Sequence, residues 1–223
     1  MKRNAIIVTA ISGTAAFNIG GITIHSALKL ITREDNGRVQ SFQAKPEEIL
    51  CWQAKEVILI DECSMMSAQM LVQIDKALRR FRRCDDFPFG GIPVVLLSGD
   101  FLQFPPIGGS SLLHDPVEKR KTQQENGDLT RSLRQGERDH HTGHEIFQLF
   151  DNVIILTKQM RQSADPEFGN MLRQLREQQQ TAESLQRLND RVISFNNIDI
   201  YNDTQFIIRT NAVRYIINLN IAF

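Results

Sequence analysis

The 223-residue sequence predicts an α/β fold, a parallel sheet with helices on both faces, and three observations lead there. Apolar runs at Ala5 to Thr9, Val57 to Ile60 and Pro93 to Leu97 are short, continuous and rich in β-branched residues, as buried parallel strands are. Between the second and third runs, Met66, Met70, Ile74, Leu78 and Phe81 recur at intervals of three and four, the stripe of an amphipathic helix. Strand, helix and strand in that order make a βαβ unit, whose crossover sets the two strands parallel.

Each element then follows from its residues. Ser12-Gly13-Thr14 after the first run is a turn leading into a helix start. The second run ends abruptly in Asp61-Glu62, and the third in Ser98-Gly99-Asp100. Arg79, Arg80, Arg82 and Arg83 crowd the end of the intervening helix, where positive charge suits the helix dipole. Residues 114–145 carry almost no apolar side chains, so they are expected to form a mobile, solvated insertion. A metal site on His140, His141 and His144 lacks a completing Cys or carboxylate, and solvated loop histidines are the expectation there. Val153 to Leu156 reads as a further strand. Asp165-Pro166-Glu167 is a helix start with Phe168, Met171, Leu172 and Leu175 as its stripe, and another helix runs from about Thr181 to Val192. Phe206 to Ile208 reads as a strand and Ala212 to Leu219 as a helix. The sequence stops at Phe223 without cap or tail, as a chain cut inside a domain would.

Composition narrows the function. With 41% hydrophobic and 23% charged residues, the chain is of ordinary globular type, which excludes collagen-like, coiled-coil and wholly disordered classes. No apolar stretch approaches the roughly 18 residues of a membrane span, so no membrane partner is expected. The start, Met1 to Val8, is too short in its apolar part for a signal peptide. Lys plus Arg (26) balance Asp plus Glu (26), so nucleic acid, if bound, follows a specific track and not a general basic surface. Cys51, Cys63 and Cys84 have no C-x-x-C spacing and suit a reducing, intracellular compartment.

Candidate chemistry sits at the strand ends. Open α/β sheets bind ligands outside the carboxyl ends of their strands, where Asp61 could hold Mg²⁺ through water and Glu62 could polarise an attacking water. Acidic pairs at strand ends are commonly just solvated, and on this segment alone that reading prevails. The next strand delivers Asp100 and Gln103 just past its own end, and Gln can hold a water in line while sensing a γ-phosphate.

These segments carry a specific resemblance. Val-Ile-Leu-Ile-Asp-Glu-Cys-Ser-Met-Met-Ser (57–67) resembles the Walker B segment of superfamily-one helicases. Gly-Ile-Pro-Val-Val-Leu-Leu-Ser-Gly-Asp-Phe-Leu-Gln-Phe-Pro-Pro (91–106) resembles their third motif, in the form used by the petite-integration-frequency family of 5′-to-3′ DNA helicases, which Helitron-type transposons also carry. Thr9 to Ala16 resembles that family's DNA-contacting loop, Thr23-Ile24-His25-Ser26 the segment that follows, and Leu156 to Gln162 the fourth motif. Thr210-Asn211 resembles the entry to its second motor domain.

The resemblance implies a RecA-like P-loop NTPase fold lacking its first strand–P-loop–helix unit: a partial first motor domain over 1–150, and a junction plus the start of a second over 151–223. It implies ATP and Mg²⁺ as cofactors, with Asp61 on Mg²⁺, Asp100 in the nucleotide site, and Glu62, Gln103 and Arg161 as catalytic residues, Arg161 acting as an arginine finger. Ser12, Gly13, Thr14, His25 and Ser26 would contact DNA. Single-stranded DNA and duplex junctions are the implied partners, a monomer the implied state, and the nucleus or mitochondrion the implied location. Telomere maintenance, DNA repair and recombination are the implied processes.

The sequence departs from the family in three places. It has no G-x-x-x-x-G-K-[ST] loop to cradle phosphates, Ile11 stands where proline is usual, and Phe104 replaces leucine. The polypeptide is therefore expected to show little ATPase or unwinding activity by itself. Two other functions compete: a non-catalytic, transposon-derived remnant binding single strands or a partner through Thr14, His25 and Ser26, and a metal-dependent nuclease using Asp61, Glu62 and Asp100.

Overall fold

The computed structural model describes residues 5–30, 44–115, 135–192, 207 and 210–221. The chain forms two compact units, Met1–Ile155 and Leu156–Phe223.

The first unit is built on four parallel strands: β1 (Ile6–Ala10), β2 (Ile22–Thr23), β3 (Val57–Asp61) and β4 (Val94–Leu97). Their order across the sheet is β2-β1-β3-β4. The register pairs Ile6 with Val57 and Ala10 with Asp61, and then Val57 with Val94 and Ile60 with Leu97, so β1, β3 and β4 end nearly level. That level edge collects the chemistry at one end of the sheet.

Alternation along β3 sends Ile58 and Ile60 fully into the core. On the neighbouring strand, Val95 and Leu97 join the same core while Val94 and Leu96 keep 41% and 47% of their surface exposed. Helix α1 (Gly13–Asn18) is short and lies against β1 and β2, and α2 (Ile24–Leu28) buries Ile24 and Leu28. Next comes α3 (Pro46–Gln53), with Pro at its first turn and Trp52 on its buried face.

The longest helix, α4 (Ala68–Arg82), crosses from β3 to β4 and is the centre of the core. Ser67 caps its start by accepting from the Met70 amide at 3.1 Å, and Arg83, in the left-handed region, closes its end. Leu71, Ile74, Leu78 and Phe81 are buried, and the Phe81 ring meets Trp52 at 5.7 Å. Asp75, also buried, accepts from the Arg79 guanidinium at 2.7 Å and from the Phe89 amide at 2.6 Å, pinning the tight 3₁₀ turn Pro88–Gly91 that delivers β4. Arg82 reaches the other way: its guanidinium donates to the carbonyls of Trp52, Lys55 and Gly90 at 2.6–2.9 Å, fastening α3's end to that turn.

Residues 135–145 correct the expectation of a solvated insertion. They belong to α5 (Gln135–Phe147), which packs on α4. Contact is close because Gly143 has no side chain: a Cβ there would lie 2.1 Å from the Ala68 carbonyl oxygen. His140 is 94% buried, its Nε2 lies 3.0 Å from the His114 carbonyl oxygen, and the two imidazoles stack. His144 Nδ1 meets the Leu112 carbonyl at 3.2 Å, and His141 faces Glu145. His140 and His144 are packing groups bonded to backbone carbonyls, His141 pairs with a side chain, and among the described residues no cluster of three or more His, Cys, Asp or Glu could hold a metal ion. Residues 116–134 of the same segment lie outside the described residues.

The strand expected at Val153 to Leu156 is corrected as well. This stretch has no regular structure, and its four side chains are 79–91% exposed. A β-branched run becomes a strand only when a neighbouring edge takes its amides and carbonyls, and among the described residues none pairs with it.

The second unit contains α6 (Pro166–Arg176), α7 (Ala182–Asn189) and α8 (Asn211–Ile221). Asp165 caps α6 by accepting from the Phe168 amide at 3.0 Å, and Thr181 caps α7 likewise from Ser184 at 3.1 Å. The Ser184 hydroxyl donates to Gln174 at 2.6 Å and Arg187 pairs with Glu167, which ties α6 to α7. The strand expected at Phe206 to Ile208 falls largely outside the described residues, and Ile207 has no regular structure. Among the described residues no helix is long and apolar enough to cross a membrane.

Candidate functional site

Asp61 is the last residue of β3, and the next residue leaves the strand by an unusual backbone turn. Glu62 sits at φ 58°, ψ 41°, in the left-handed region, before the 3₁₀ turn Cys63–Met65. A β-carbon disfavours that conformation, at a cost of about 1–3 kcal/mol, and such strain collects at functional sites. Here it turns β3 sharply enough for two consecutive carboxylates, both half-buried, to stand at the sheet's edge.

The end of β4 is clamped to this turn. The Ser98 amide donates to the Ile60 carbonyl and the Cys63 amide to the Ser98 carbonyl, both at 2.9 Å. Gly99 makes that approach possible, since a Cβ on it would meet the Cys63 amide nitrogen at 2.8 Å and the Cys63 sulfur at 2.9 Å. Asp100 follows at once. Its Oδ1 accepts from the Leu102 amide at 3.1 Å, and its Oδ2 from the Gln103 side-chain amide at 3.3 Å, while the Gln103 backbone amide donates to the Asp100 carbonyl at 2.9 Å. Gln103 is exposed and held by Asp100 at both its main chain and its side chain. Asp61, Glu62, Asp100 and Gln103 therefore stand on two adjacent, hydrogen-bonded strand exits.

A third strand exit joins them. The Ile11 amide, one residue past β1, donates to the Asp61 carbonyl at 3.1 Å. It leads into Ser12, whose hydroxyl caps α1 by accepting from Ala15 at 3.2 Å, and Gly13 and Thr14 are exposed on the first turn. Thr23 caps α2, accepting from the Ser26 amide at 3.2 Å and donating to the Ser26 hydroxyl at 2.9 Å. His25 is half-buried beside it. Arg161 belongs to the second unit, exposed at the start of the turn before α6.

Behind the carboxylates, burial pushes the Cys63 thiol up to about 11, with the charges of Asp61 and Glu62 adding to the rise. A thiol so high is inert at neutral pH, so Cys63 serves packing and not nucleophilic chemistry. Ser64, 97% buried, places an unpartnered hydroxyl in the same turn. Sequence patterns offered no signal for Gly99, whose role depends on what lies across the strand boundary.

The donor set fits a magnesium–nucleotide only in part. One or two carboxylates plus phosphate oxygens are what Mg²⁺ uses, and Asp61 at the end of β3 is a carboxylate of that kind. A phosphate-cradling loop of the G-x-x-x-x-G-K-[ST] type does not occur in the 223 residues.

Known proteins share this architecture. The family model for PIF1-like helicases matches residues 1–186. The ATP-dependent DNA helicase PIF5 of Trypanosoma brucei brucei is 32% identical over 197 residues, covering 86% of this chain and 21% of its own length. RRM3 of Saccharomyces cerevisiae, also an ATP-dependent DNA helicase, is 37% identical over 107 residues, 47% of this chain and 14% of its own. Among solved structures, a Bacteroides Pif1 bound to ssDNA superposes with a TM-score of 0.69 at 28% identity, over 96% of this chain and 46% of that one. A Bacteroides Pif1 in complex with ADP-AlF3 and ssDNA gives 0.66 at the same identity, over 99% and 47%. The chain thus spans less than a quarter of these two curated relatives and about half of these solved chains. With the family model covering most of its residues and the fold matching that of solved members, the chain belongs to the PIF1-like helicase family.

Proposed function

We propose that this chain carries hydrolytic and strand-contacting parts of an ATP-dependent 5′-to-3′ DNA helicase, which couples ATP hydrolysis to movement on single-stranded DNA and to opening of duplex junctions. One observation carries the reading: the exits of β1, β3 and β4 are hydrogen-bonded together, with Asp61 and Glu62 beside Asp100 and Gln103. The amide leading into the Ser12–Thr14 loop is bonded to the Asp61 carbonyl. A shift of the β3 exit therefore reaches the DNA loop through one hydrogen bond.

In this reading Asp61 binds magnesium through water, Glu62 accepts a proton from the attacking water, and Gln103, oriented by Asp100, holds that water in line. Magnesium, when bound, neutralises charge on the phosphates. Arg161 would add its planar, always-charged guanidinium from the junction between a first motor domain at 1–150 and a second from 151. Ser12, Gly13, Thr14, His25 and Ser26 would meet the DNA strand. In this reading the protein acts as a monomer in the nucleus or mitochondrion, in telomere maintenance, repair and recombination.

A second reading is a non-catalytic single-strand-binding or partner-binding remnant using Thr14, His25 and Ser26, of which Thr14 and Ser26 are exposed at the starts of α1 and α2. The polypeptide is expected to bind single-stranded DNA in a salt-dependent way and to turn over little ATP. Fluorescence anisotropy with labelled oligothymidylate and a phosphate-release assay measure both. DNA-stimulated turnover abolished by Glu62→Gln would overturn the expected inactivity. Absence of single-strand binding would overturn the helicase reading, and DNA cleavage in Mg²⁺ without nucleotide would replace it with a nuclease.

A further inference from the structure

We propose that the open face and free edge of the first unit's sheet form one docking surface, which takes a strand–helix segment supplied as a separate polypeptide. The inference rests on the nucleotide-site reading above and names the partner that reading needs. Two rows of aliphatic side chains cross the sheet in register, Ile6 beside Val57 and Val94, and Val8 beside Leu59 and Leu96. Ile6, Val94 and Leu96 keep 41–47% of their surface exposed and the other three are half-buried, whereas Ile58 and Ile60 on the opposite face are fully buried. Parallel sheets are ordinarily covered on both faces. The edge is open too. The Val94 and Ser98 amides donate to the Glu56 and Ile60 carbonyls at 3.0 and 2.9 Å. By alternation the Val95 and Leu97 amides point away from β3, and among the described residues no strand pairs with them. Ile92 to Gly99 carries no charged residue to guard that edge.

Handedness fixes the form of the occupant. Parallel crossovers are right-handed, so α2, α3 and α4, whose connections run toward β4, share the core face, and a connection running the other way lies on the opposite face. A strand added beside β4 and returning toward β1 through a helix therefore lays that helix on the two aliphatic rows. Such a helix starts at the carboxyl ends of the strands, near Asp61 and Gln103, where its first amides can take a phosphate. The 223 residues contain no phosphate-cradling loop to do so. A further strand-forming run leaves from the end of the sheet where β4 begins. Val153 to Ile155 is 79–87% exposed and starts three residues after Phe150, whose ring lies 5.8 Å from Phe89 in the turn that delivers β4. A strand beside β4 gives that run an edge to pair with.

The test uses the whole chain and a fluorescently labelled synthetic peptide in which an apolar β-branched strand leads through a G-x-x-x-x-G-K-S loop into an amphipathic helix. Anisotropy should show saturable binding of this peptide, and none of the same peptide with proline at the centre of its strand. Leu96→Lys and, independently, Val94→Lys should each weaken binding by about 10- to 100-fold, the equivalent of one buried aliphatic side chain. Leu50→Lys, on the exposed surface of α3, should leave it unchanged. A fluorescent ATP analogue with Mg²⁺ should bind the pair and neither part alone. Absence of peptide binding, or binding untouched by both sheet-face variants, would overturn the docking surface. A wild-type dimer that Leu96→Lys converts to monomer, with no peptide bound, would overturn it too and assign the face to a second copy. Docking without nucleotide binding would leave the surface standing and overturn the nucleotide-site reading beneath it.

Discussion

Replacing Gly99 by alanine tests the idea that the strand exits of β3 and β4 work as one clamped unit. The new Cβ would lie 2.8 Å from the Cys63 nitrogen, 2.9 Å from the Cys63 sulfur and 3.3 Å from the Ser64 nitrogen. Two of these three neighbours are backbone atoms, so no flexible side chain can simply swing away. Relief requires the two strand exits to separate, which stretches the 2.9 Å bond from the Cys63 amide to the Ser98 carbonyl. Overpacking of this kind costs about 1–3 kcal/mol, and losing the bond adds about 1 kcal/mol, for a total of about 2–4 kcal/mol. Against a domain stability of about 5–15 kcal/mol this is large. With a urea m-value of about 1–3 kcal/mol per molar, the midpoint should fall by on the order of 1 M. Trp52, the single tryptophan, sits in the core of the same unit and reports its unfolding by fluorescence. Gly13→Ala is the matched control, since a Cβ there meets nothing within 4 Å. A Gly99→Ala midpoint equal to that of wild type and of Gly13→Ala would refute the clamp.

Three further outcomes follow from the same geometry. Thiol labelling at pH 8 should modify exposed Cys51 first and Cys84 more slowly, with Cys63 reacting only after denaturant is added, because burial holds its thiol near 11. Arg82→Lys should lower stability by about 2–4 kcal/mol in the same urea titration, since one ammonium cannot reach the Trp52, Lys55, Gly90 and Gly91 carbonyls that the guanidinium satisfies together. Hydrogen bonding from Lys29 and from the Lys45 amide holds the Glu48 carboxyl below its usual 4.5. A carboxyl lowered by folding contributes stability above its unfolded pKa and loses it as pH falls through the folded value. Glu48→Gln should therefore be less stable than wild type at pH 7, and the difference should shrink and vanish as pH falls below about 4.5, giving the variant a flatter acid limb.

Strand ends and caps were legible in the residues themselves. The run Val57 to Ile60 followed by Asp61-Glu62 marks where β3 stops, because an apolar strand buried on the core side cannot continue through two carboxylates. Asp165-Pro166 marks the start of α6 equally well, since a cap and a fixed φ act within a few residues. The stripe from Met66 to Phe81 was right about α4, although Met66 precedes the helix, in the turn that enters it. In each case the deciding interaction is local, and local interactions are written in adjacent letters.

Other features were set by neighbours distant in the chain. Helix α5 has few apolar residues, and what docks it is the absence of a side chain at Gly143 and two imidazoles bonded to carbonyls 26 and 32 residues earlier. A hydrophobic pattern does not register a glycine or a histidine as core. Val153 to Leu156 shows the reverse: strand-forming residues that remain unpaired because pairing is a property of two segments and not of one. What the sequence alone determined about this protein is its parallel α/β class, its family and the strand ends that carry its carboxylates. Tertiary structure alone decided how closely those ends approach, through the Gly99 contact and the Cys63–Ser98 and Ile11–Asp61 bonds, because such distances depend on atoms that only the folded sheet makes neighbours.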